Sequence, residues 1–335
     1  MDVIVIGSGP AGCAAALTCA QAGLRVVVIT CGADESSASS AVRAESIHPG
    51  VVSLLNKIGI EGPQPHVVCG YYNGIYANGQ YAALGEDESG KWSGLHIRRD
   101  AFDQQLIRQL QQSGIEVSFG EKVEDVLVDE NRVIGIKTNG QVLYAKYVID
   151  ASGKNAIAGK KLKWKQQFFS PPLVCWTGIS VVDNTFSLDR ANAHFIPGQD
   201  TWTWLATCEL NECAWTRLTI KGEKRNDPPV ELKDYPVKGV IQYANMRWRL
   251  YRPVCSEGIL LCGDAAGILD PAAGQGILNA LWSGMMAGNA VISCLREPHL
   301  ASLHLAYYDD WFVQQFEMKV EQLGEYYAEN GIVFK

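Results

Sequence analysis

The N-terminal segment constrains the fold of this chain more than any other feature of the sequence. A short apolar run, Asp2–Ile6, leads directly into a glycine-rich turn, and the alanine-rich stretch Cys13–Ala22 follows with apolar residues at helical spacing. Leu24–Ile29 is a second apolar run of the kind found in buried strands. A strand, a turn, a helix and a strand that close within about 30 residues form the first βαβ unit of a doubly wound sheet. We therefore predict an α/β protein with a Rossmann-like parallel sheet.

The turn itself predicts a dinucleotide site. Its glycines follow the GxGxxG spacing between a strand and a helix, in which Gly7 permits the tight turn, Gly9 lets the backbone approach a pyrophosphate, and Gly12 lets the helix pack on the strand. Pro10 and Ala11 complete the helix start, whose free N–H groups and positive dipole end attract a phosphate. These five residues are predicted to bind the cofactor, and a purely structural glycine turn is the alternative.

One element of the dinucleotide pattern is missing. An acidic residue is expected at the end of the second strand, about 20 residues beyond the turn, and Thr30 stands there instead. A threonine hydroxyl can bind a ribose, although more weakly than a carboxylate does. Cys31, Asp34 and Glu35 are the other candidates, and the sequence does not rank the four.

A second glycine-rich helix start lies in Gly263–Gly276, which reads GDAAGILDPAAGQG. It follows the buried-type strand Ile259–Cys262 and opens the long predicted helix Gly276–Leu295. The carboxylate of Asp264 suits the hydroxyl groups of a ribityl chain, and the helix N–H groups suit the negative charge of a reduced flavin. The segment therefore predicts a flavin site, and an ordinary helix-capping loop is the alternative.

Composition argues against several classes of function. The chain has 335 residues, a net charge of −7 and no long basic run, which argues against nucleic-acid binding. Its apolar runs are far shorter than the ~20 residues that cross a bilayer, and we expect neither a signal peptide nor a transmembrane segment. Ten cysteines without a CxxC pair predict reduced structural thiols in a cytoplasmic protein. The six histidines lack metal-ligand spacing, and no metal site is predicted.

Four motifs resemble the FAD-dependent aromatic hydroxylase superfamily, which has the glutathione-reductase type of FAD fold. They are GSGPAG near the start, RRDAFD at 98–103, VIDASG at 148–153 and the GDAAGILDPAAGQG segment. RAESIHPG at 43–50 and CGYYNG at 69–74 are similar to segments of one branch. That branch contains flavin-dependent halogenases, geranylgeranyl-type reductases and the flavoprotein maturases of quinone-cofactor oxidases.

The resemblance implies a domain division. Residues 1–165 and 250–300 would form a discontinuous FAD-binding domain, 66–98 and 166–249 an inserted, mostly antiparallel substrate sheet, and 301–335 a C-terminal helix. Within the first domain, four apolar runs predict a strand meander: Ile115–Phe119, Val123–Asp129, Arg132–Thr138 and Gln141–Tyr147. Charges and prolines in Lys221–Lys238 predict a loop. The chain ends soon after its terminal helix, so we expect a short lid and an open site suited to a substrate as large as a peptide.

The resemblance also implies FAD as the cofactor and assigns its contacts by position. Arg43 and Arg99 would contact its phosphate or ribityl region, with a solvated surface charge as the alternative for each. Asp264 would bind the ribityl hydroxyls, and the Val123 backbone would flank the adenine. Pro271 and the backbone of Gly274, Gln275, Gly276 and Ile277 would lie against the isoalloxazine ring of the flavin. Gly263 is a further cofactor-binding candidate.

For the reaction, the resemblance favours monooxygenation of an aromatic or electron-rich substrate, with a peptidyl side chain as one option, through a flavin C4a-hydroperoxide. The substrate would sit between the flavin and a sheet within Leu173–Ile220, and NAD(P)H or a separate flavin reductase would supply electrons. His48, Glu45 and Trp204 are the catalytic candidates. A satisfied loop histidine is the alternative for His48, and a core position is the alternative for the tryptophan.

Three other functions are carried as alternatives. A halogenase would need a WxWxIP motif and a relay lysine, but Ile-Pro is absent after Trp204 and no lysine lies between Lys57 and Lys91. A geranylgeranyl-type reductase predicts an apolar tunnel beneath the flavin and turnover without oxygen. A non-catalytic assembly factor predicts a stable complex with a partner enzyme and a flavin that nicotinamides do not reduce.

Overall fold

The computed structural model describes residues 1–32, 43–88, 90–198, 200–209, 211–220, 227–332 and 334. Six α-helices lie in this part of the chain: α1 (Pro10–Gln21), α2 (Gly50–Lys57), α3 (Arg99–Gln112), α4 (Ile157–Lys161), α5 (Gly276–Arg296) and α6 (Ala301–Glu329). The strands are β1 (Val3–Ile6), β2 (Val26–Ile29), β3 (Ala44–Ile47), β4 (Val68–Tyr72), β5 (Gly74–Ala77), β6 (Gln80–Ala83), β7 (Glu86–Asp87), β8 (Gly90–Lys91), β9 (Gly94–Arg98), β10 (Glu116–Ser118), β11 (Val123–Asp129), β12 (Arg132–Thr138), β13 (Val142–Tyr144), β14 (Tyr147–Asp150), β15 (Lys165–Phe168), β16 (Leu173–Val181), β17 (Ala193–Gly198), β18 (Thr201–Cys208), β19 (Glu212–Ile220), β20 (Val237–Asn245), β21 (Arg249–Arg252), β22 (Cys255–Ser256), β23 (Ile259–Leu261) and β24 (Gly267–Ile268).

The predicted βαβ unit starts a six-stranded sheet with the order β10-β2-β1-β14-β23-β22. Every neighbouring pair in it is parallel except β22 with β23. β1, β2 and β14 are buried along their whole length, as strands covered on both faces must be. The sequence prediction of a parallel α/β sheet is confirmed.

The predicted meander is only partly correct. β11, β12 and β13 form an antiparallel sheet, but the run Ile115–Phe119 contributes β10, which pairs in parallel with β2 at the edge of the six-stranded sheet. Alternating hydrophobicity is compatible with either sheet, and the position of the strand is set by the preceding helix α3, which returns the chain to that edge.

A seven-stranded sheet with the order β20-β16-β19-β18-β17-β5-β6 makes up the second layer. It is antiparallel except where β17 pairs in parallel with β5. Of the segment 66–98, only β5 and β6 join this sheet, because β4 and β9 pair with β3 in a separate three-stranded sheet. Because β7 and β8 form a two-stranded sheet of their own, the segment is divided among three sheets, which the sequence division did not anticipate. Of the predicted loop Lys221–Lys238, positions 221–226 lie outside the described residues, and β20 already begins at Val237.

Close packing of α1 on α5 brings the two glycine-rich helix starts together. A Cβ at Gly284 of α5 would lie 2.1 Å from the Ala11 carbonyl oxygen, and one at Gly288 would lie 3.0 Å from Thr18. Glycine at these positions lets the helix backbones approach more closely than any side chain allows. α5 is also the one helix of the described chain with the length and hydropathy to span a bilayer, but half of it is buried in the core, which accounts for its apolar surface.

Candidate functional site

A cavity of about 390 Å³ lies between the two helix starts and the seven-stranded sheet. The predicted site residues that line it are Gly9, Pro10, Ala11, Arg43, Glu45, Arg99, Trp204, Asp264, Pro271, Gly274, Gly276 and Ile277. They come from five separate parts of the sequence, and the fold brings them to one place. The helix-start wall, which we define by the turn Gly7–Gly12 and the loop Gly263–Gly276, forms one side of the cavity.

Backbone groups of the helix-start wall are free to bind a ligand. Neither Gly9 before α1 nor Gln275 before α5 makes a side-chain capping hydrogen bond, and neither helix has an acidic residue in its first turn. Both positive helix ends therefore lack an anion from the protein. A Cβ at Gly9 or Gly276 would meet no atom within 4 Å, which leaves open space for a bound group.

Gly12, by contrast, is required by packing. A Cβ there would lie 2.0 Å from the Gly7 carbonyl oxygen, so helix α1 can pack against the turn only without a side chain at this position. The three glycines of the motif therefore divide between structure and ligand access, as the dinucleotide pattern requires.

An ion cluster stands beside the helix-start wall. Arg99 donates to the Glu45 carboxylate at 3.1 Å and to Asp103 at 2.9 Å, and Arg43 forms an ion pair with Glu45. Burial by itself would raise the pKa of Glu45, but the two guanidinium groups hold it below its ordinary value. Glu45 is thus ionised at neutral pH, and it orients both arginines at the rim of the cavity.

Asp264 lines the cavity and is exposed to it, and desolvation by the surrounding protein raises its pKa. A carboxylate in that position accepts hydrogen bonds from ligand hydroxyl groups. Together with two uncapped helix starts and two arginines, it fits a cofactor that has a pyrophosphate and a polyhydroxyl chain. The donor set therefore fits FAD.

Other predicted cofactor residues lie around the cavity rather than on its surface. The Thr30 hydroxyl accepts a hydrogen bond from Ser8 at 3.1 Å, beyond the end of β2, and Val123 is buried at the start of β11. Gly263 and Gln275 line a second cavity behind the loop, between α5 and α6. Asp34 and Glu35, the acidic candidates for the ribose, lie outside the described residues.

His48 is not among the residues that line the cavity. Its Nδ1 accepts a hydrogen bond from the Gly50 N–H at 3.0 Å, at the first residue of α2, and burial lowers its pKa. This is the arrangement of a satisfied loop histidine. Its catalytic role stays a prediction that its position does not favour.

The opposite side of the cavity is formed by one face of the seven-stranded sheet, which we call the sheet wall. It consists of Cys175, Thr177, Trp202, Trp204, Ala206, Cys208, Ala214, Thr216, Gln242 and Ala244. Every second residue of β18 points to this face, in keeping with the period of a strand. Among the described residues, the sheet adds no Leu, Ile or Val to the wall.

Sequence reasoning missed His96 beside the sheet wall. The Trp204 indole N–H donates to the Ser46 hydroxyl at 3.1 Å, and that hydroxyl hydrogen-bonds Nδ1 of His96 at 2.9 Å. His96 is 1% exposed and stacks on Tyr72. Burial lowers its pKa to about 4, so the imidazole is neutral at pH 7. Its place in β9, just before the RRDAFD motif, was the available signal.

Asp270 was missed as well, although it lies inside the second motif. This buried carboxylate accepts hydrogen bonds from the Trp248 indole at 2.5 Å and from the Tyr327 hydroxyl at 2.9 Å. Tyr327 in turn accepts one from the Trp202 indole at 2.5 Å. The network ties helix α6 to the loop before Pro271 and to the sheet wall, so all three move as one unit.

The comparisons with known proteins agree with this geometry. A family model described as an FAD binding domain matches residues 1–311. Digeranylgeranylglycerophospholipid reductase 2 of Methanococcoides burtonii is 27% identical over 336 residues, covering 92% of this chain and 79% of that protein.

Two solved structures share the fold. A flavin-dependent brominase, Bmp2, superposes with a TM-score of 0.78 at 21% identity, covering 92% of this chain and 83% of its own. The peptidyl tryptophan dihydroxylase QhpG, essential for tryptophylquinone cofactor biogenesis, superposes with a TM-score of 0.76 at 20% identity, covering 98% of this chain and 75% of its own. Reductases, halogenases and maturases thus all occur among the similar proteins, which confirms the resemblance seen in the motifs. Because the family model spans most of the chain and the helix-start wall fits the cofactor, this protein belongs to the FAD-binding-domain family of flavin-dependent oxidoreductases.

Proposed function

We propose that the protein is an FAD-dependent monooxygenase that hydroxylates an aromatic or otherwise electron-rich substrate. The composition of the sheet wall carries this proposal. Its indole groups can stack on an aromatic molecule, and its hydroxyl and amide groups can hydrogen-bond to one. A prenyl chain has no polar group to pair with these hydroxyl and amide groups, and the described part of the sheet adds no Leu, Ile or Val to the wall.

In this proposal, bound FAD supplies two electrons and the activation of dioxygen. The two helix starts and Arg43 and Arg99 hold its phosphates and ribityl region, and Asp264 binds its hydroxyl groups. Pro271 and the backbone from Gly274 to Ile277 would lie against its ring system, in support of which Pro271, Gly274, Gly276 and Ile277 line the cavity. Thr30 would bind the ribose and the Val123 backbone would flank the adenine.

Trp204 would serve as the platform on which the substrate stacks. Its indole N–H is held by the Ser46 hydroxyl, which is hydrogen-bonded to neutral His96. These hydrogen bonds from indole to hydroxyl to imidazole fix the plane of the indole before the substrate binds. Such preorganisation lowers the free-energy cost of orienting the substrate. Glu45 acts indirectly, because its charge orients the two arginines.

We further propose a small aromatic molecule or a peptidyl side chain as the substrate, and NAD(P)H or a separate flavin reductase as the electron donor. The peptidyl option draws support from the structural likeness to a peptidyl tryptophan dihydroxylase. A cytoplasmic location agrees with ten cysteines that are all free thiols.

A double-bond reductase is the second candidate, because several relatives of 24–27% identity are digeranylgeranylglycerophospholipid reductases. One experiment separates the two reactions. The FAD-loaded protein is reduced anaerobically with NADPH, NADH or dithionite and divided between two reactions. One portion receives ¹⁸O₂ and a tryptophan-containing peptide or N-acetyltryptophanamide, and the other receives a geranylgeranyl lipid without oxygen.

Incorporation of one ¹⁸O atom into the aromatic substrate is the expected result. Loss of a lipid double bond under anaerobic conditions, without any labelled aromatic product, would instead assign the reductase reaction. Failure of both nicotinamides to bleach the flavin, with dithionite bleaching it fully, would identify an external reductase as the donor. Trp204→Phe keeps an aromatic ring but removes the indole N–H together with the five-membered ring, and Ser46→Ala is its control because it deletes the same hydrogen bond and leaves the indole intact.

A further inference from the structure

Two cysteine thiols meet at the edge of the sheet wall. Cys69 lies in β4 and Cys208 is the last residue of β18, and their side chains are 6% and 1% exposed. They pack together with Ile179 and Ala214 in a small apolar cluster of their own. The Glu209 N–H donates to the Cys69 carbonyl oxygen at 2.8 Å, so the two strands are hydrogen-bonded at the position of the pair.

The backbone of β4 is irregular at this cysteine. In the ladder with β9, Val68 pairs with Ile97 and Gly70 pairs with His96, which leaves Cys69 as the extra residue of a β-bulge. A bulge bends the strand locally and redirects the side chain of the extra residue. Here it accompanies the contact between Cys69 and Cys208, which also borders the cavity.

Cys69 also differs from the other buried cysteines in its electrostatic surroundings. Contact with the Cys208 thiol lowers the pKa of Cys69, and the Arg98 guanidinium nearby acts in the same direction against the effect of burial. The pKa of Cys208 is raised, first by the same contact and then by burial. Burial likewise raises the pKa of the seven remaining buried cysteines: Cys13, Cys19, Cys175, Cys213, Cys255, Cys262 and Cys294. The Arg98 guanidinium acts on both thiols, so the contact between them is what distinguishes the two, and Cys69 is taken as the attacking thiol and Cys208 as its partner.

We propose that Cys69 and Cys208 are a redox-active dithiol that closes reversibly to a disulfide, with hydrogen peroxide as the oxidant. The Cys69 thiolate attacks one peroxide oxygen, the O–O bond breaks, and protonation releases the first water and leaves a sulfenic acid. Cys208 then attacks that sulfur, an S–S bond forms, the S–O bond breaks, and the second water leaves with the two remaining protons. The pair loses two electrons, and a dithiol reductant restores it. The bond would tie β4 to β18 covalently at the wall of the cavity.

The test uses the wild-type protein, reduced and then freed of reductant under anaerobic conditions. Hydrogen peroxide is added in equimolar steps, free thiols are blocked with iodoacetamide in denaturant, and disulfide-linked peptides are identified by mass spectrometry. The expected species is a single linked peptide joining Cys69 to Cys208, which disappears after dithiothreitol. Oxidation confined to exposed Cys31, or linkage distributed over several cysteine pairs, would overturn the proposal.

Two variants sharpen the assignment. In Cys208→Ser, peroxide is expected to leave a sulfenic acid on Cys69 that dimedone traps, because no partner thiol is present to resolve it. Cys213→Ser removes a buried thiol on β19 that lies opposite Thr207, the neighbour of Cys208. It is the matched control and is expected to form the Cys69–Cys208 link as the wild type does. A dimedone adduct spread over other cysteines in Cys208→Ser would contradict the assignment of Cys69 as the nucleophile. The proposal rests on the contacts of β4 with β18 and is independent of the reaction proposed for the flavin.

Discussion

The two walls of the cavity are built on different principles. The helix-start wall offers backbone N–H groups and helix ends, supplied by two segments that are each continuous in sequence. The sheet wall offers side chains from four strands, β16, β18, β19 and β20, whose neighbours are fixed only by the pairing of the sheet. A backbone site is specified by local glycine and helix-start patterns, whereas a side-chain site is specified by tertiary structure. The first wall therefore suits the cofactor, and the second supplies the side chains that face the substrate in the proposed reaction.

The largest expected effect is a loss of stability at Gly12, the glycine of the helix-start wall that is needed for packing and not for ligand binding. Gly12→Ala places a Cβ 2.0 Å from a backbone oxygen that has no room to move, so we expect it to lower the free energy of unfolding of the FAD-free protein by about 3 kcal/mol. Urea denaturation of that form measures the loss. Bound FAD should be lost from this variant as well, since the turn is distorted.

Gly9→Ala is the matched control for that substitution. Its Cβ meets no protein atom within 4 Å and its φ of −75° suits alanine. We expect the FAD-free protein to keep its stability, while the Kd for FAD rises tenfold or more, about 1.4 kcal/mol, because the methyl group occupies the approach of the pyrophosphate. Equal destabilisation by both substitutions would contradict the division of the motif into a packing glycine and an access glycine.

A pH effect of nearly the same size tests the sheet wall. The folded-state pKa of His96 is about 4, below the 6.5 of an exposed histidine, so the unfolded chain binds more protons than the folded protein between these values. The free energy of unfolding should therefore rise with pH from 4 to 6.5, by an amount on the order of 3 kcal/mol from this group. Denaturant titrations at several pH values measure the slope.

His96→Gln should flatten that slope, whereas His299→Gln, which removes an exposed histidine, should leave it as in the wild type. An unchanged slope in His96→Gln would show that other groups govern acid unfolding. The comparison is made on the FAD-free protein so that cofactor loss at low pH does not contribute.

The hydrogen-bond network that joins the two walls should have a smaller effect. Tyr327→Phe removes the donor to Asp270 and the acceptor for the Trp202 indole, and leaves a buried carboxylate with one fewer partner. We expect a loss of about 2 kcal/mol in the free energy of unfolding. Tyr307→Phe alters an exposed tyrosine of the same helix and should change stability by less than about 0.5 kcal/mol. If the two variants are equally stable, the network does not fasten α6 to the cavity.

The difference between the walls also explains how far the sequence could be interpreted. The βαβ unit, the parallel sheet and the helix starts followed from local patterns, because glycine spacing and apolar runs determine them over short distances. His96 and Asp270 could not be inferred in this way. His96 is 50 positions from its partner Ser46, which is 158 positions from Trp204. Asp270 is 57 positions from Tyr327, and only the folded chain makes these residues neighbours.

The same reasoning accounts for the misplaced strand and for His48. The alternation in Ile115–Phe119 correctly indicates a strand but contains no information about which sheet will accept it. The position of His48 within the RAESIHPG segment suggested contact with the cofactor, yet its Nδ1 is used by the N–H of Gly50. A motif of eight residues places a segment near the site, whereas local hydrogen bonds decide which of its side chains turn inward.

The smallest expected loss of stability is at Trp204. The same substitution tests whether the sheet wall orients the substrate or only contacts it. Trp204→Phe keeps an aromatic ring but removes the N–H that Ser46 accepts, at a cost in stability of about 1 kcal/mol. If the indole is a preorganised platform, kcat/KM for the aromatic substrate should fall about tenfold, because a rotating ring misplaces the substrate. Ser46→Ala should reproduce most of that loss without altering the ring, since it deletes the same hydrogen bond from the other side. A normal kcat/KM in both variants would mean that stacking area alone, and not the orientation of the indole, is what the sheet wall contributes to the reaction.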